Sequence, residues 1–508
     1  MSWHYRRVFD IMHLFGQDLH TVLWVKHRNP IGLSPRSVEM VALHFSGALP
    51  RRSRRADKAK QSLVRHPGVL FEKIVPSEVV TQACRFLGHL WRERVFTPLV
   101  TLWTFLSQVL NADSSCRQAV AHTLGFLSLS HGLDASHDPS AYCKARKRLP
   151  EDLLPQLTRW VAQGLAARVR PQELWRGHRA ILVDGSSVAM ADSPKNQAAY
   201  PQPHGQKAGC GFPTARVVGL FDLFTGALLD LALGPLSLGE TVLFHTLWRC
   251  LRPGDVAVAD CYYCSYADIA LVQQRGAHGV WRLHQRRKRD LDSATRLGPD
   301  DYLVEWSKDV RPHWISPEGF AALPGRQTVR LVRFQCRVPG WRAQEVWVAT
   351  TLLDPVAYPA WDIAHLFGRR WEIETDWDHL KTTLNLEFLR TRTPDMVRQE
   401  LWAHLLAYNL IRTLMWDAAQ KRRISPLRLS FKGAVQEMIA LWPFSASPAP
   451  GRHLAGFYDA LLRGIAYHRI PERPQRTEPR VRKRRPKNYR LMTQPRDQYK
   501  QDFRTQEH

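Results

Sequence analysis

The apolar residues of this chain follow two different periods, and the change from one to the other divides the sequence into regions. Between about 75 and 170 they recur at helical spacing, first in SEVVTQACRFLGHLW, where Ser77 is a candidate N-cap, and then in TPLVTLWTFLSQVL. The segment AYCKARKRLP predicts a short basic helix that Pro150 stops. This pattern predicts an all-helical N-terminal domain.

From Ala180 onward, short apolar runs of strand length replace the helical spacing. AILVD is the first, and ARVVGLFDLFTGALLDLALG predicts two strands joined by a turn at Thr225-Gly226. A helix follows at about 239–251, and DVAVADC and HGVWRLH then predict a fourth and a fifth strand. Three strands, a helix and two more strands, followed after an insertion by a long helix, match a ribonuclease H-like core.

Between about 290 and 355 the segments YLVEWS, TVRLVRFQCRV and EVWVATTLL are β-like, and from Trp361 to about 465 the pattern is helical again. We therefore predict an α/β fold, with a ribonuclease H-like mixed sheet flanked by helices, a β-rich insertion and a helical N-terminal domain. The predicted parts are an N-terminal extension and basic linker (1–60), a helical DNA-binding domain (61–175), the first part of the core (176–289), the insertion (290–355), the completion of the core with its catalytic helix (356–465) and a basic tail (466–508).

Charge narrows the class of partner. The chain has 508 residues, and Lys plus Arg outnumber Asp plus Glu by 72 to 46, which gives a net charge of +26. A cation of this size favours a polyanionic partner, and nucleic acid suits it best, because a ribosomal protein is usually shorter and poorer in tryptophan than a chain with 18 Trp. We found no uninterrupted apolar stretch near the roughly 18 residues of a membrane span, and we expect a cytoplasmic, nucleoid-associated protein.

Cysteine is sparse, and Cys261 and Cys264 form the one CxxC pair of the sequence. A zinc site needs a second pair of ligands at suitable spacing, and the sequence offers none. Two reduced thiols are the favoured interpretation, while a metal site and a thioredoxin-like redox pair stay open.

Two predicted strands end on an aspartate. Asp184 follows Ile181-Leu182-Val183, and Asp260 follows the run 256–259. Two-metal phosphoryl transfer needs acidic side chains on a rigid frame that brings distant residues together, and the ends of neighbouring strands provide one. A single aspartate at a strand end is more often a turn former or a helix cap, so the pair alone does not decide the matter.

A third acid is expected from the helix FGRRWEIETDWDHLKTTL. The candidates are Glu372, Glu374, Asp376 and Asp378. At about 100° per residue, Glu374 shares one face with Arg370 and Lys381, while Glu372 and Asp376 point to the opposite side and Asp378 lies at the edge. An ordinary amphipathic helix with an i,i+4 ion pair, worth about 0.2–0.5 kcal/mol, would explain Arg370 but not Lys381. Glu374 is the favoured acid, and Asp378 remains the alternative.

These residues resemble the DDE transposases of bacterial insertion sequences, in the large insertion-sequence-four type group whose third acid lies in the pattern Tyr-x2-Arg-x3-Glu-x6-Lys. The matching residues are Phe367, Arg370, Glu374 and Lys381, and the one departure is Phe367 in place of tyrosine. VDGSS around the first aspartate, ADCYYCSYADI around the second, and RVFTPLVTLWTFLSQVL with SAYCKARKRLP in the helical part are similar to that group as well. The resemblance spans about residues 75–490.

The resemblance implies that Asp184, Asp260 and Glu374 are the catalytic residues and hold Mg²⁺, with Mn²⁺ able to replace it. It also implies that Arg370, Lys381 and Phe367 contact DNA. Double-stranded DNA, as element ends and as target, and a homodimer that pairs two ends are the implied partners. The implied reaction is cut-and-paste transposition, in which the element is cut free and its 3′ ends are joined to a target, in some members through a hairpin.

Basic residues outside the signature are also candidate DNA contacts. Arg482, Lys483, Arg484 and Arg485 form the densest positive patch, which suits phosphate binding without sequence specificity. A solvated tail is an equally good description of this patch in the absence of DNA. Trp281 is expected to pack in the core rather than to stack on a base.

Two other functions remain open. A ribonuclease H-like nuclease or junction resolvase would cut DNA without joining it and without requiring element ends. A catalytically inactive or decayed copy would bind the ends tightly and give no Mg²⁺-dependent product. Terminal inverted repeats in the DNA that flanks the gene would favour the transposase.

Overall fold

Helices come first along the part of the chain that the computed structural model describes, which comprises residues 69–336, 344–442, 444, 450–471 and 491–506. In the described residues from 69 onward, the α-helices that precede the sheet are α1 (Ser77–Phe86), α2 (Pro98–Leu110), α3 (Cys116–His131), α4 (Ser140–Arg148) and α5 (Leu153–Ala166). The Thr97 side chain caps α2 by accepting a hydrogen bond from the Val100 amide (3.3 Å), and Ser115 caps α3 in the same way. The helical N-terminal region is thus as predicted, whereas the predicted extension 1–60 lies outside the described residues.

Ser77 does not occupy the predicted N-cap position. It is the first residue of α1, and the N-cap is Pro76, which offers no side-chain acceptor. The Ser77 amide and hydroxyl instead donate to the Glu72 carboxylate, at 2.9 and 2.7 Å. The carboxylate therefore satisfies a free amide of the first turn from outside the helix.

Within the residues that the structure describes, ten strands form one mixed sheet, and they are β1 (Ala180–Met190), β2 (Thr214–Asp222), β3 (Leu228–Pro235), β4 (Val256–Ala259), β5 (His278–Arg282), β6 (Thr295–Gly298), β7 (Asp301–Ser307), β8 (Arg326–Cys336), β9 (Gln344–Thr350) and β10 (Phe388–Leu389). Their order is β3-β2-β1-β4-β5-β9-β8-β7-β6, with β10 paired to β1. Strands β1, β4 and β5 are parallel, and β2 runs antiparallel between β1 and β3. This arrangement is the predicted ribonuclease H-like core.

The insertion continues the central sheet instead of forming a separate layer. Strand β9 pairs antiparallel with β5, with Trp281 opposite Ala349, and β8, β7 and β6 follow outward. Arg330 of β8 is completely buried and donates to Asp301 of β7. The same guanidinium donates to the carbonyl oxygens of Leu352, Asp354 and Tyr358, at 3.2, 3.2 and 2.7 Å. Arg330 thus ties the insertion to the segment that follows β9.

The remaining described helices lie between and after the strands along the chain, and several of them pack on the two faces of the sheet. They are α6 (Pro194–Ala199), α7 (Glu240–Leu247), α8 (Tyr266–Gln274), α9 (Pro317–Ala321), α10 (Ala360–Gly368), α11 (Glu372–Asp378), α12 (Pro394–Arg422), α13 (Phe431–Leu441), α14 (Pro450–Tyr467) and α15 (Arg496–Gln506). Because side chains alternate along a strand, Leu182 and Val258 pack in one core with α11 and α12, whereas Ile181 and Ala257 pack in the other with α7 and α8. The last helix, α15, was not predicted within the basic tail.

The segment that carries the predicted third acid is helical from Ala360 to Thr383. A 3₁₀ turn (Arg369–Trp371) joins α10 to α11, and a π-helical turn (His379–Thr383) follows α11. Isolated π-helical turns are rare and are frequently found at functional sites. In the described part of the chain, the helices are too short or too polar to cross a membrane.

Candidate active site

One edge of β1 is left open in the middle of the strand. Along the described chain, that edge pairs with β4 at residues 180–182 and with β10 at 189–190, while the other edge pairs with β2 throughout. Residues 183–188 therefore have no strand beside them on this edge, because β4 already ends at Ala259. We call this opening the β1 notch.

The two predicted aspartates lie at the notch. The parallel register places Leu182 beside Val258, so that Asp184 and Asp260 follow two residues later on the same face of the two strands. Asp260 lies just beyond β4, where its Oδ1 accepts a hydrogen bond from the Cys261 amide at 2.8 Å. Asp260 thus follows the end of its strand as predicted, whereas Asp184 lies inside β1, because the strand continues past the apolar run to Met190.

Asp184 is largely buried among negative charges. Burial raises the pKa of Asp184 to about 6, and the charges of Glu240 and Glu374 act in the same direction. A hydrogen bond from the Gly185 amide and the charge of Arg370 oppose this rise without cancelling it. Burial is thus the main cause of the raised pKa, and Asp184 lies within the electrostatic influence of two acids and one cation.

Glu374 is the acid of α11 whose charge reaches Asp184. Its side chain is 48% exposed and lies 3.8 Å from the Arg370 guanidinium. The other three acids of the helix have separate partners, which are Arg369 for Glu372, Arg412 and Tyr408 for Asp376, and Thr382 for Asp378. Glu374 therefore remains the better candidate, and Asp378 is the weaker one.

The structure places two of the predicted DNA contacts, Arg370 and Lys381, near Asp184, but not the others. Arg370 is 7% exposed, with its charge acting on Asp184, and Lys381 Nζ lies 3.4 Å from Ser186 Oγ, two residues beyond Asp184. Phe367 is buried and packs edge-on against Phe334 of β8, so its ring offers little surface to DNA, and its predicted contact remains a prediction. The basic patch at 482–485 lies outside the described residues.

The sequence did not identify Glu240 as a candidate residue of the site. It is the first residue of α7, where an acid is usually explained by the favourable interaction with the helix N-terminus. Its carboxylate nevertheless lies directly over Gly185, since a Cβ at that position would be 2.5 Å from the Glu240 carboxyl carbon. The glycine that follows Asp184 in VDGSS was the only local signal for this neighbour.

The donor set suits a hard divalent cation. Carboxylate oxygens are the ligands that Mg²⁺ and Mn²⁺ prefer, and the charges of Glu240 and Glu374 both act on Asp184. Within the described residues, three or more acidic, histidine or cysteine side chains are not yet close enough together to bind a metal as they stand. Binding would therefore require the acidic side chains to move closer together.

Packing and hydrogen bonding account for Trp281, for the two cysteines of the CxxC pair and for two residues of the predicted basic helix. Trp281 is completely buried in the core, as predicted. Cys261 and Cys264 are free thiols, and burial raises the pKa of Cys264 to about 12. In α4, Tyr142 and Arg146 turn inward and both donate to the Gln108 side chain, at 2.7 and 2.9 Å.

Comparison with known proteins adds independent information. Residues 175–410 match the family model of the transposase DDE domain. The transposase InsG for insertion sequence element IS4, from Escherichia coli (strain K12), is 27% identical over 360 residues, which cover 69% of this chain and 78% of InsG. The putative transposase InsZ of the same strain is 26% identical over 145 residues, which cover 28% of this chain and 48% of InsZ. Among solved structures, a cryo-EM structure of a piggyBac transposase synaptic complex with hairpin DNA aligns with a TM-score of 0.40 and 11% identity, over 81% of this chain and 86% of that one.

Proposed function

We propose that the chain, whose residues 175–410 match the family model of the transposase DDE domain, binds the ends of its own insertion sequence and catalyses their metal-dependent cleavage and strand transfer. The observation that carries this proposal is the set of groups around the β1 notch. Asp184 lies within the electrostatic influence of Glu374 and Arg370, and Lys381 lies beside Ser186. Acids for metal and cations for phosphate at one opening are what phosphoryl transfer on DNA requires.

In this proposal Asp184, Asp260 and Glu374 hold Mg²⁺, or Mn²⁺ in its place. The bound metal would activate the attacking hydroxyl and stabilise the leaving oxygen. Arg370 and Lys381 hold DNA phosphates near the active site, because Arg370 is a cation beside Glu374 and Lys381 is a cation beside Ser186. Phe367 supports the start of the catalytic helix by packing against Phe334.

The partner in this proposal is double-stranded DNA, bound both as element end and as target. The net charge of +26 supports a large phosphate interface, to which Arg482, Lys483, Arg484 and Arg485 would contribute. A homodimer that pairs two element ends is proposed on the resemblance to insertion-sequence transposases.

The test uses duplexes made from the inverted repeats that flank the gene, incubated with supercoiled target DNA and Mg²⁺. We expect nicking at the repeat ends, followed by joining of the freed 3′ ends to the target, with both products lost on chelation of the metal. Asp184→Asn, Asp260→Asn and Glu374→Gln should each abolish both steps. Asp378→Asn, on the same helix as Glu374, should retain them.

The outcomes separate the competing functions. Cleavage without joining, independent of the end sequence, would identify a nuclease. Tight end binding without any Mg²⁺-dependent product would identify a DNA-binding protein that has lost catalysis. Full strand transfer by the Asp184→Asn variant would refute the proposed site.

A further inference from the structure

The β1 notch is open to both layers of the molecule. Asp184 and Gly185 are successive residues of β1, so their side-chain directions point to opposite faces of the sheet. Asp184 faces the layer of α11, whereas Gly185 faces the layer of α7. Where a neighbouring strand would normally separate the two layers, β4 has already ended. An acid from the α7 layer can therefore reach the same opening.

Glu240 is the acid that does so. Both of its carboxylate oxygens lie within 2.9 Å of the position that a Cβ on Gly185 would take, so the carboxylate occupies the space that the glycine leaves. The Tyr263 hydroxyl donates to Glu240 Oε2 at 3.3 Å, and Arg216 Nε is 3.9 Å from Oε1. A role confined to the helix N-terminus would not explain a carboxylate that leans over the backbone of β1.

Tyr263 connects Glu240 to the two aspartates. It is buried, and its hydroxyl donates a hydrogen bond to Glu240. Besides burial, the negative charges of Glu240, Asp184 and Asp260 all raise its pKa. The tyrosine thus contacts one carboxylate and lies within the electrostatic influence of the other two.

A separate observation indicates that a ligand belongs here. Arg370 is more than nine-tenths buried beside Asp184 and Glu374, yet its Nε–H has no acceptor among the described residues. A buried guanidinium donor without an acceptor is costly, and a phosphate oxygen would satisfy it. The residues around the notch thus include acids that could bind a metal and an unused donor that could bind a phosphate.

We infer that Glu240 is a fourth carboxylate of the active site and helps to hold the divalent metal there, with Gly185 and Tyr263 as the residues that position it. The inference rests on the proposed function, since it assigns Glu240 to the same metal site as Asp184, Asp260 and Glu374. Gly185 contributes by lacking a side chain, and Tyr263 contributes its hydroxyl.

Metal binding by the full chain tests this directly, without reliance on turnover. Mn²⁺ is titrated into the protein, and free Mn²⁺ is followed by electron paramagnetic resonance. Glu240→Gln should raise the Kd for Mn²⁺ by about tenfold or more, since even the outer partners of metal ligands change affinity by about 10–100-fold. Glu318→Gln is the matched control, because Glu318 is an exposed acid in the first turn of α9, far from the notch in sequence. It should leave the Kd unchanged.

Gly185→Ala provides a second, independent variant. Its methyl group would displace the Glu240 carboxylate while leaving that residue chemically intact, so the Kd should rise as it does in Glu240→Gln. Thermal unfolding of each variant shows whether the fold is kept. If Glu240→Gln lowers the melting temperature but binds Mn²⁺ as tightly as the parent, Glu240 is structural and the inference is wrong.

The same titration separates the two proposals. If Asp184→Asn weakens Mn²⁺ binding and Glu240→Gln does not, only the inference about Glu240 fails. If neither variant changes the Kd, the proposed metal site itself fails. If both raise it, and the Mn²⁺ concentration needed for half-maximal end cleavage rises in parallel, both proposals are supported.

Discussion

The acid that points away from the proposed site, Asp376, offers the sharpest test of how the catalytic helix is held. The Asp376 and Arg412 side chains are 7% and 4% exposed and form an ion pair between α11 and α12. The Tyr408 hydroxyl lies 3.0 Å from Asp376 Oδ1 and 2.6 Å from the Gly226 carbonyl oxygen. Removing one partner of such a buried pair costs about 3–5 kcal/mol, because the other charge is left uncompensated.

Asp376→Asn keeps the shape of the side chain and one acceptor oxygen. We therefore expect the free energy of unfolding to fall by about 3 kcal/mol, at the lower end of that range. The unfolding entropy is about 2.1 cal/mol/K per residue, or about 0.9 kcal/mol/K for the roughly 440 residues of the unit Leu63–His508. The melting temperature of the metal-free protein should therefore fall by about 3 °C, as measured by differential scanning calorimetry. End cleavage should fall as well, since Glu374 is two residues away on the same helix.

Asp378→Asn is the matched control, with the same chemical change two positions further along. Asp378 is exposed and accepts a hydrogen bond from Thr382, so its variant should melt within about 1 °C of the parent. In the double variant Asp376→Asn, Arg412→Met, the buried charge is removed, and the loss should be smaller than the sum of the two single losses. Equal melting temperatures for Asp376→Asn and Asp378→Asn would refute the reasoning.

Three further expectations concern other parts of the molecule. The pKa of Asp184 is raised from 3.8 to about 6, so its contribution to stability is complete below about pH 4 and is lost as the pH rises through 6. Metal-free Asp184→Asn should therefore melt at a higher temperature than the parent at pH 8 and at the same temperature at pH 4. A difference in melting temperature that does not change with pH would contradict this. Lys381→Met should weaken binding of end DNA and reduce the slope of log K against log salt by about one, measured by fluorescence anisotropy, and an unchanged slope would remove Lys381 from the phosphate contacts. Gly226→Ala should lower the free energy of unfolding more than Gly254→Ala. Both glycines have a positive φ, but only at Gly226 would a Cβ lie 2.8 Å from the Arg412 guanidinium carbon. Equal losses of unfolding free energy in urea would count against that clash.

Much of the core could be predicted because it depends on the spacing of residues that are close together in the sequence. Short apolar runs that end on an acid located β4 with Asp260 and the first part of β1 with Asp184, although β1 continues to Met190. The spacing of Phe367, Arg370, Glu374 and Lys381 supported a resemblance with which the family match over residues 175–410 agrees. The helix-face analysis also separated Glu374 from Asp376, which is buried on the other side against α12.

The features that sequence reasoning missed depend on residues far apart in the chain. The β1 notch exists because β4 has four residues and because β10, with two residues, pairs only at the far end of β1. Neither length can be derived from hydrophobic periodicity. Glu240 was overlooked for the same reason, since its contact with Gly185 joins two layers of the fold and leaves no repeating pattern.

The joining of β9 to β5 was not predicted either. Both strands are apolar runs, and nothing local tells an edge strand of a separate sheet from one that extends the core. The π-helical turn after α11 is a smaller case, because a uniform 100° per residue was assumed up to Lys381.

The tie made by Arg330 has a consequence for how this domain tolerates changes in length. Because the guanidinium on β8 binds the carbonyl oxygens of Leu352, Asp354 and Tyr358, the insertion braces the segment that leads into the helix of Glu374. Excising the insertion as a module would remove that brace along with the sheet partner of β5. The tip of the β6–β7 hairpin at Pro299 lies at the outer edge of the sheet, so natural size variation and engineered fusions alike should be accommodated there.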